Sequence, residues 1–240
     1  MLPRLAVACL LLGALVLAAG AAPPSPAPRA EGVVRLPALT VQMGSARQPD
    51  EQPVHAVSLP AFSIDRREVR LAEYSAFDPG GTGAGPDHPV VYVSFSQASA
   101  YCAHRGGRLP TEEEWERACK STRGGTYPWG EGPNPAAVWW EEEKWGKYGL
   151  LPGITTVAEP DPSTATPEGV YELAGSVWEW TTSGYHRDSY ADPSKAQNSP
   201  WKVVRGGSYA NLPSYATCTH REPARPDEPR LTLGFRCVYP

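Results

Sequence analysis

Twenty-seven prolines and twenty-three glycines punctuate the 240 residues and break almost every apolar run before it extends. Residues 33–65 read as short strands, "GVVRLPALTVQMGS" and then "HAVSLPAFSID", interrupted too often for a regular sandwich. Two further strand-like pieces, "VVRGGSY" and "GFRCVYP", lie near the C-terminus, and no internal repeat is present. These breaks leave short, interrupted strands rather than one regular sheet.

Two stretches carry helical signals. In "SFSQASAYCAHR", residues 94–105, Ser94 and Gln97 fit a capping box, and Phe95, Ala98 and Cys102 share one face before Gly106 and Gly107. In "LPTEEEWERACK", Thr111 is the N-cap and Glu114 reaches back from the third helical position. Glu112 and Glu113 suit the positive end of that helix dipole, while Trp115 and Cys119, four apart, face the core together. The carboxylate runs in "EEEW" and "WEEEKW" read as solvated faces.

Arg4 precedes an apolar run from Leu5 to Ala19 and then small residues, the pattern of a secretory signal peptide over residues 1–22. The run is shorter than the ~20 residues needed to span a bilayer, so no membrane span is expected after cleavage. Cys9 follows only four apolar residues, too few for a lipoprotein signal. Residues 23–32, "PPSPAPRAEG", form a Pro/Ala-rich tether, leaving one domain over 33–240. A formal net charge of −4 without a basic stripe argues against nucleic acid as a partner.

Beyond the signal stand Cys102, Cys119, Cys218 and Cys237. An even number in an exported chain favours disulfides, with three pairings open. No C-x-x-C is present, and the histidines are scattered singly, which argues against a zinc site. No nucleophile elbow, phosphate loop or H-E-x-x-H occurs either. Residues 122–166 are rich in Gly, Pro and Trp, and "VWWEEEKWGKYG" reads as a loop pinned by Trp139 or Trp140. The alternative there is an exposed platform of Trp139, Trp140 and Trp145 for sugar or peptide.

The stretches "GRLPTEEEWERA", "YPWG", "GVYELAGSVWEW" and "VVRGGSY…GFRC", in this order, resemble the formylglycine-generating enzyme, or sulfatase-modifying factor, family. "QMGS", "PVHAVSLPAFSIDRREV" and "HPVVYVSFSQASAYC" fit it too, so the resemblance covers roughly residues 33–240. It implies an irregular α+β single domain related to C-type lectins, with little regular secondary structure. It also implies an oxidase that turns a substrate cysteine into formylglycine with dioxygen and a Cu(I) ion held by two thiolates. Those thiolates lie five residues apart, the first two residues after "GGSY". The matching positions here are Asn211 and Ala216. A soft Cu(I) ion selects thiolate or thioether ligands, so the resemblance does not carry copper or its chemistry to this chain.

The same resemblance implies the pairings Cys102–Cys237 and Cys119–Cys218. It matches Trp178, Ser208, Tyr209 and Tyr215 to the family's pocket, with Asn211 beside them. It also offers a calcium site. "GNVWEW" reads "GSVWEW" here, leaving the Ser176 hydroxyl and the Glu179 carboxylate as candidate oxygen ligands, while Ala137 stands where a second site would open. Glu179 otherwise needs an arginine or backbone partner. The expected function is therefore a secreted or periplasmic pseudoenzyme, a scaffold or binding module for an exported protein, peptide or glycan. No cofactor is certain. The alternative is a copper-dependent formylglycine-generating oxidase, or a divergent enzyme acting on a protein in the same groove.

Overall fold

The computed structural model describes residues 32–132, 134 and 161–240. Trp139, Trp140, Trp145, Ala137 and the "WEEEKW" run lie outside the described residues, as do residues 1–31.

The N-terminal strand-like stretches form four strands: β1 (Val33–Leu36), β2 (Leu39–Met43), β3 (His55–Leu59) and β4 (Phe62–Asp65). β2 and β3 make an antiparallel ribbon. β1 pairs with β4, which also pairs with β9 (Val238–Tyr239) at the end of the chain. The start and end of the fold therefore share one sheet. A one-turn helix, α1 (Leu71–Ser75), follows β4.

Both expected capping boxes are present. In α2 (Phe95–His104), Ser94 and Gln97 satisfy each other's backbone donors, and Ala98 and Cys102 are buried. In α3 (Glu112–Lys120), Thr111 and Glu114 do the same, and Trp115 and Cys119 are fully buried. These reciprocal bonds satisfy N-terminal amides that no intrahelical carbonyl can reach.

The remaining strands are β5 (Trp178–Gly184), β6 (Lys202–Arg205), β7 (Glu222–Ala224) and β8 (Leu233–Gly234). They form a sheet in the order β7-β6-β5-β8, with only β5 and β8 parallel. One core cluster packs Trp178, Trp180 and Phe235 against α2, and a second packs Trp115 and Ala118 against Leu36 and Ile64. A disulfide fastens each helix to the C-terminal half. Cys102 is bonded to Cys237 and Cys119 to Cys218, which are the pairings the resemblance implies.

The acidic start of α3 departs from the solvated face expected of it. Glu112, Glu114 and Glu116 are all buried. Arg221 donates to Glu112 at 2.8 and 2.9 Å, Arg108 donates twice to Glu114 at 2.6 Å, and Arg205 and Lys120 pair with Glu116. Burial alone would raise the Glu116 carboxyl, but Arg205 and Lys120 together hold it below the ordinary range. The nearby Arg108 and Lys120, with Arg205 and Arg221 from the distant C-terminal half, make these charges tolerable inside.

Candidate functional site

The site is built on the turn that leaves β6. Gly206 and Gly207 both have positive φ, at 98° and 72°, where a side chain is strained. A Cβ at Gly207 would also lie 3.0 Å from the Tyr215 carbonyl. The turn is stitched to the one before β5: Gly175 N–H donates to Gly206 O, and Tyr209 N–H to Ser176 O, each at 2.8 Å. The "GGSY" loop and the "GSVWEW" strand are thus held side by side.

Asn211 is the centre of this loop. Its Oδ1 accepts from the Ser208 hydroxyl at 2.6 Å, the Trp178 indole at 2.9 Å and the Ser208 N–H at 3.1 Å. Ser208 and Trp178 are buried, whereas Tyr209, Asn211 and Tyr215 are partly exposed. Tyr215 packs edge-on to Trp178, with ring centroids 6.5 Å apart, and lies 4.8 Å from the His220 ring. Five of the sequence-predicted residues therefore converge on one loop, with His220 added.

Two cavities, of about 430 and 340 Å³, open along this loop and share Gln48, Ser214 and His220. Tyr215, Tyr185, Asp50 and Glu222 line the larger one. Tyr185 donates to Asp50 at 3.0 Å, and burial, with the Asp50 charge behind it, pushes the Tyr185 phenol up to about 12. It stays a neutral donor at physiological pH. His220 Nε2 stands 3.5 Å from Glu222 Oε1 and has no hydrogen-bond partner among the described residues. Arg221 backs this wall, donating to Asp50 O at 2.7 Å while held by Glu112. The groove wall is thereby anchored to the acidic start of α3.

Residues 18–240 match the sulfatase-modifying factor enzyme 1-like domain. This chain belongs to that family. It is 31% identical to the formylglycine-generating enzyme of Streptomyces coelicolor, over 92% of this chain and 94% of that protein. It is 36% identical to the inactive C-alpha-formylglycine-generating enzyme 2 of Bos taurus, over 67% of this chain but only 54% of the relative. Among solved structures, PvdO from Pseudomonas aeruginosa superposes with a TM-score of 0.68 at 24% identity, covering 86% of this chain and 93% of PvdO. Treponema denticola variable protein 1 gives 0.67 at 23%, over 86% and 94%. At those identities the likeness is one of fold.

The donor set at this sulfatase-modifying-factor-like site does not fit Cu(I). Asn211 presents an amide oxygen already engaged by Ser208 and Trp178, Ala216 is a buried methyl group, and Cys218 is locked to Cys119. Nor do Ser176 and Glu179 fit a calcium ion between them. The Ser176 hydroxyl donates to Glu68 at 2.6 Å, and both Glu179 oxygens accept from Arg236 at 2.7 Å, with Trp115 Nε1 adding a third bond at 2.8 Å. Glu179 has the arginine partner that its place between two tryptophans demands. Among the described residues, no group of three or more His, Cys, Asp or Glu is arranged to hold a metal.

Sequence reasoning missed Gln48, Asp50, Tyr185 and His220. No local pattern marks them, because the groove is assembled from segments more than a hundred residues apart, as the Tyr185–Asp50 bond shows.

Proposed function

We propose that this chain is an exported binding module of the family, taking a peptide or glycan in the groove beside Tyr215 without oxidising it. The observation that carries this reading is the hydrogen bonding of Asn211 Oδ1 to Ser208 and Trp178 where the family resemblance calls for a thiolate. The name of the bovine relative, an inactive formylglycine-generating enzyme, supports the loss of chemistry. The signal-like residues 1–22 and the two disulfides support export to an oxidising compartment, secreted or periplasmic. The groove supplies aromatic surface from Tyr185, Tyr215 and His220, with Gln48, Asp50 and Glu222 as polar groups that fix orientation.

A second reading, the copper-dependent oxidase, is favoured by the similarity to the Streptomyces enzyme along nearly the whole chain. It would need thiolates from outside the aligned positions. The binding reading is tested with peptide and glycan arrays probed by the purified chain and by Tyr215→Ala. Ligands bound by the wild type and lost in the variant support it. Binding that is absent, or unchanged in the variant, contradicts it.

A further inference from the structure

The groove beside Tyr215 holds several polar side chains that the fold leaves unused. Asp50 spends Oδ2 on the Tyr185 hydroxyl and keeps Oδ1 free. The Glu222 carboxylate accepts no hydrogen bond from a described residue and stands 3.5 Å from His220 Nε2. The Ser214 and Tyr215 hydroxyls and the Gln48 side-chain amide likewise make no hydrogen bond to a described residue. Gln48 and Ser214 are exposed, and Asp50, Tyr215 and Glu222 are half-buried, so a ligand can reach all of them.

Charge selects against an ionic ligand here. Arg187 stands exposed on the same lining and opposes a cation, while Asp50 and Glu222 oppose an anion. Arg221 is committed to the fold, donating to Glu112, to the Ser189 hydroxyl at 2.8 Å and to Asp50 O. Hydroxyl groups suit what remains, because each one both donates and accepts. The two carboxylates take hydroxyl protons in charge-assisted bonds, and Gln48, Ser214 and Tyr215 can donate or accept. The Tyr185 and Tyr215 rings add apolar surface beside them.

The backbone at the groove is poorly suited to a peptide main chain, which is held best along an open strand edge. The edge strand here is β7, which carries Glu222, but its middle residue is Pro223 and has no N–H to give. The Pro223 carbonyl already accepts from Arg230 at 3.4 Å.

The two cavities are contiguous, since Gln48, Ser214 and His220 line both. Each, at about 430 and 340 Å³, falls in the ~300–1,000 Å³ range of small-molecule sites. The smaller one carries Tyr127, stacked on Trp129 with ring centroids 5.1 Å apart. We propose that the groove takes a neutral oligosaccharide, with one sugar residue in each cavity. This rests on the reading of the groove as a binding site and commits it to a glycan.

The test probes an array of neutral glucose-, galactose-, mannose- and N-acetylglucosamine-based oligosaccharides with the purified chain, beside a peptide array. The tightest glycan is then titrated by calorimetry. The expected result is saturable binding, tighter for the disaccharide than for its monosaccharide and unchanged between about 0.05 and 0.5 M salt. Glu222→Gln should weaken it by about tenfold, the loss of one charge-assisted hydrogen bond. If that variant fails to fold, Gln48→Ala, at an exposed position, should weaken it in the same direction. Peptides bound and lost in Tyr215→Ala, with no neutral glycan bound, overturn this proposal and leave the groove reading standing. Binding of neither class overturns both. Affinity that falls with salt, or is unchanged in the folded variants, also overturns the glycan assignment.

Discussion

The Trp178 indole N–H donates to Asn211 Oδ1 at 2.9 Å, joining the start of β5 to the loop after "GGSY". The same oxygen accepts from the Ser208 hydroxyl, so one amide closes the floor of the loop. Asn211→Ala strands three donors, the Ser208 hydroxyl, the Ser208 N–H and the Trp178 indole, and leaving such groups unpaired should cost at least about 1–3 kcal/mol of stability. Urea unfolding should show that loss. An unchanged midpoint would mean that Asn211 does not hold the loop.

Glu68 should give the fold an unusual pH response. Its carboxyl is raised above the ordinary 4.5 by burial and by its acidic neighbours, so the native state holds a proton that the unfolded chain has already released. Its contribution to stability is therefore full below about pH 4.5 and falls as pH rises toward the raised value. Glu68→Gln removes that fall. The variant should gain stability relative to wild type between pH 5 and pH 8, read from melting temperatures. A constant difference across that range would refute the assignment.

The groove wall depends on Arg221, whose guanidinium is held by Glu112 and stacks 4.2 Å from the Tyr190 ring centroid. Arg221→Met leaves Glu112 buried with one arginine fewer and should cost about 3–5 kcal/mol. Replacing both partners, Glu112→Leu/Arg221→Met, should recover most of it. Denaturant midpoints of the four-member cycle decide this, and a double variant no better than the single one contradicts it.

The two disulfides close stretches separated by 135 and 99 residues, for which the chain-entropy model gives about 4–5 kcal/mol each. Removing Cys102 and Cys237 together, both to Ser, should lower the melting temperature steeply. A chain beginning at residue 23 should show no free thiol when denatured without reductant. A free thiol at Cys218 would contradict its pairing with Cys119.

Local signals made α2 and α3 readable, because each begins with a capping box and each presents a cysteine on its buried face. β5 escaped notice because Trp178 to Thr181 are buried without alternation, leaving no period-two pattern to read. α1, at five residues, is too short to show helical periodicity. The burial of Glu112 was invisible because its partner Arg221 lies 109 residues away. Of the site, the loop residues Ser208, Tyr209, Asn211 and Tyr215 were legible through the family motifs, whereas the facing wall from Asp50 and Tyr185 exists only in the folded chain.

The proposed role for this family framework is binding without oxidation. The most direct measurement loads the purified chain with Cu(I) under anaerobic conditions, adds a sulfatase-derived cysteine peptide and dioxygen, and follows the peptide by mass spectrometry. No tight stoichiometric copper and an unconverted cysteine are expected, because Asn211 and Ala216 supply no thiolate and Cys218 is bonded to Cys119. Stoichiometric copper together with a formylglycine product would contradict it.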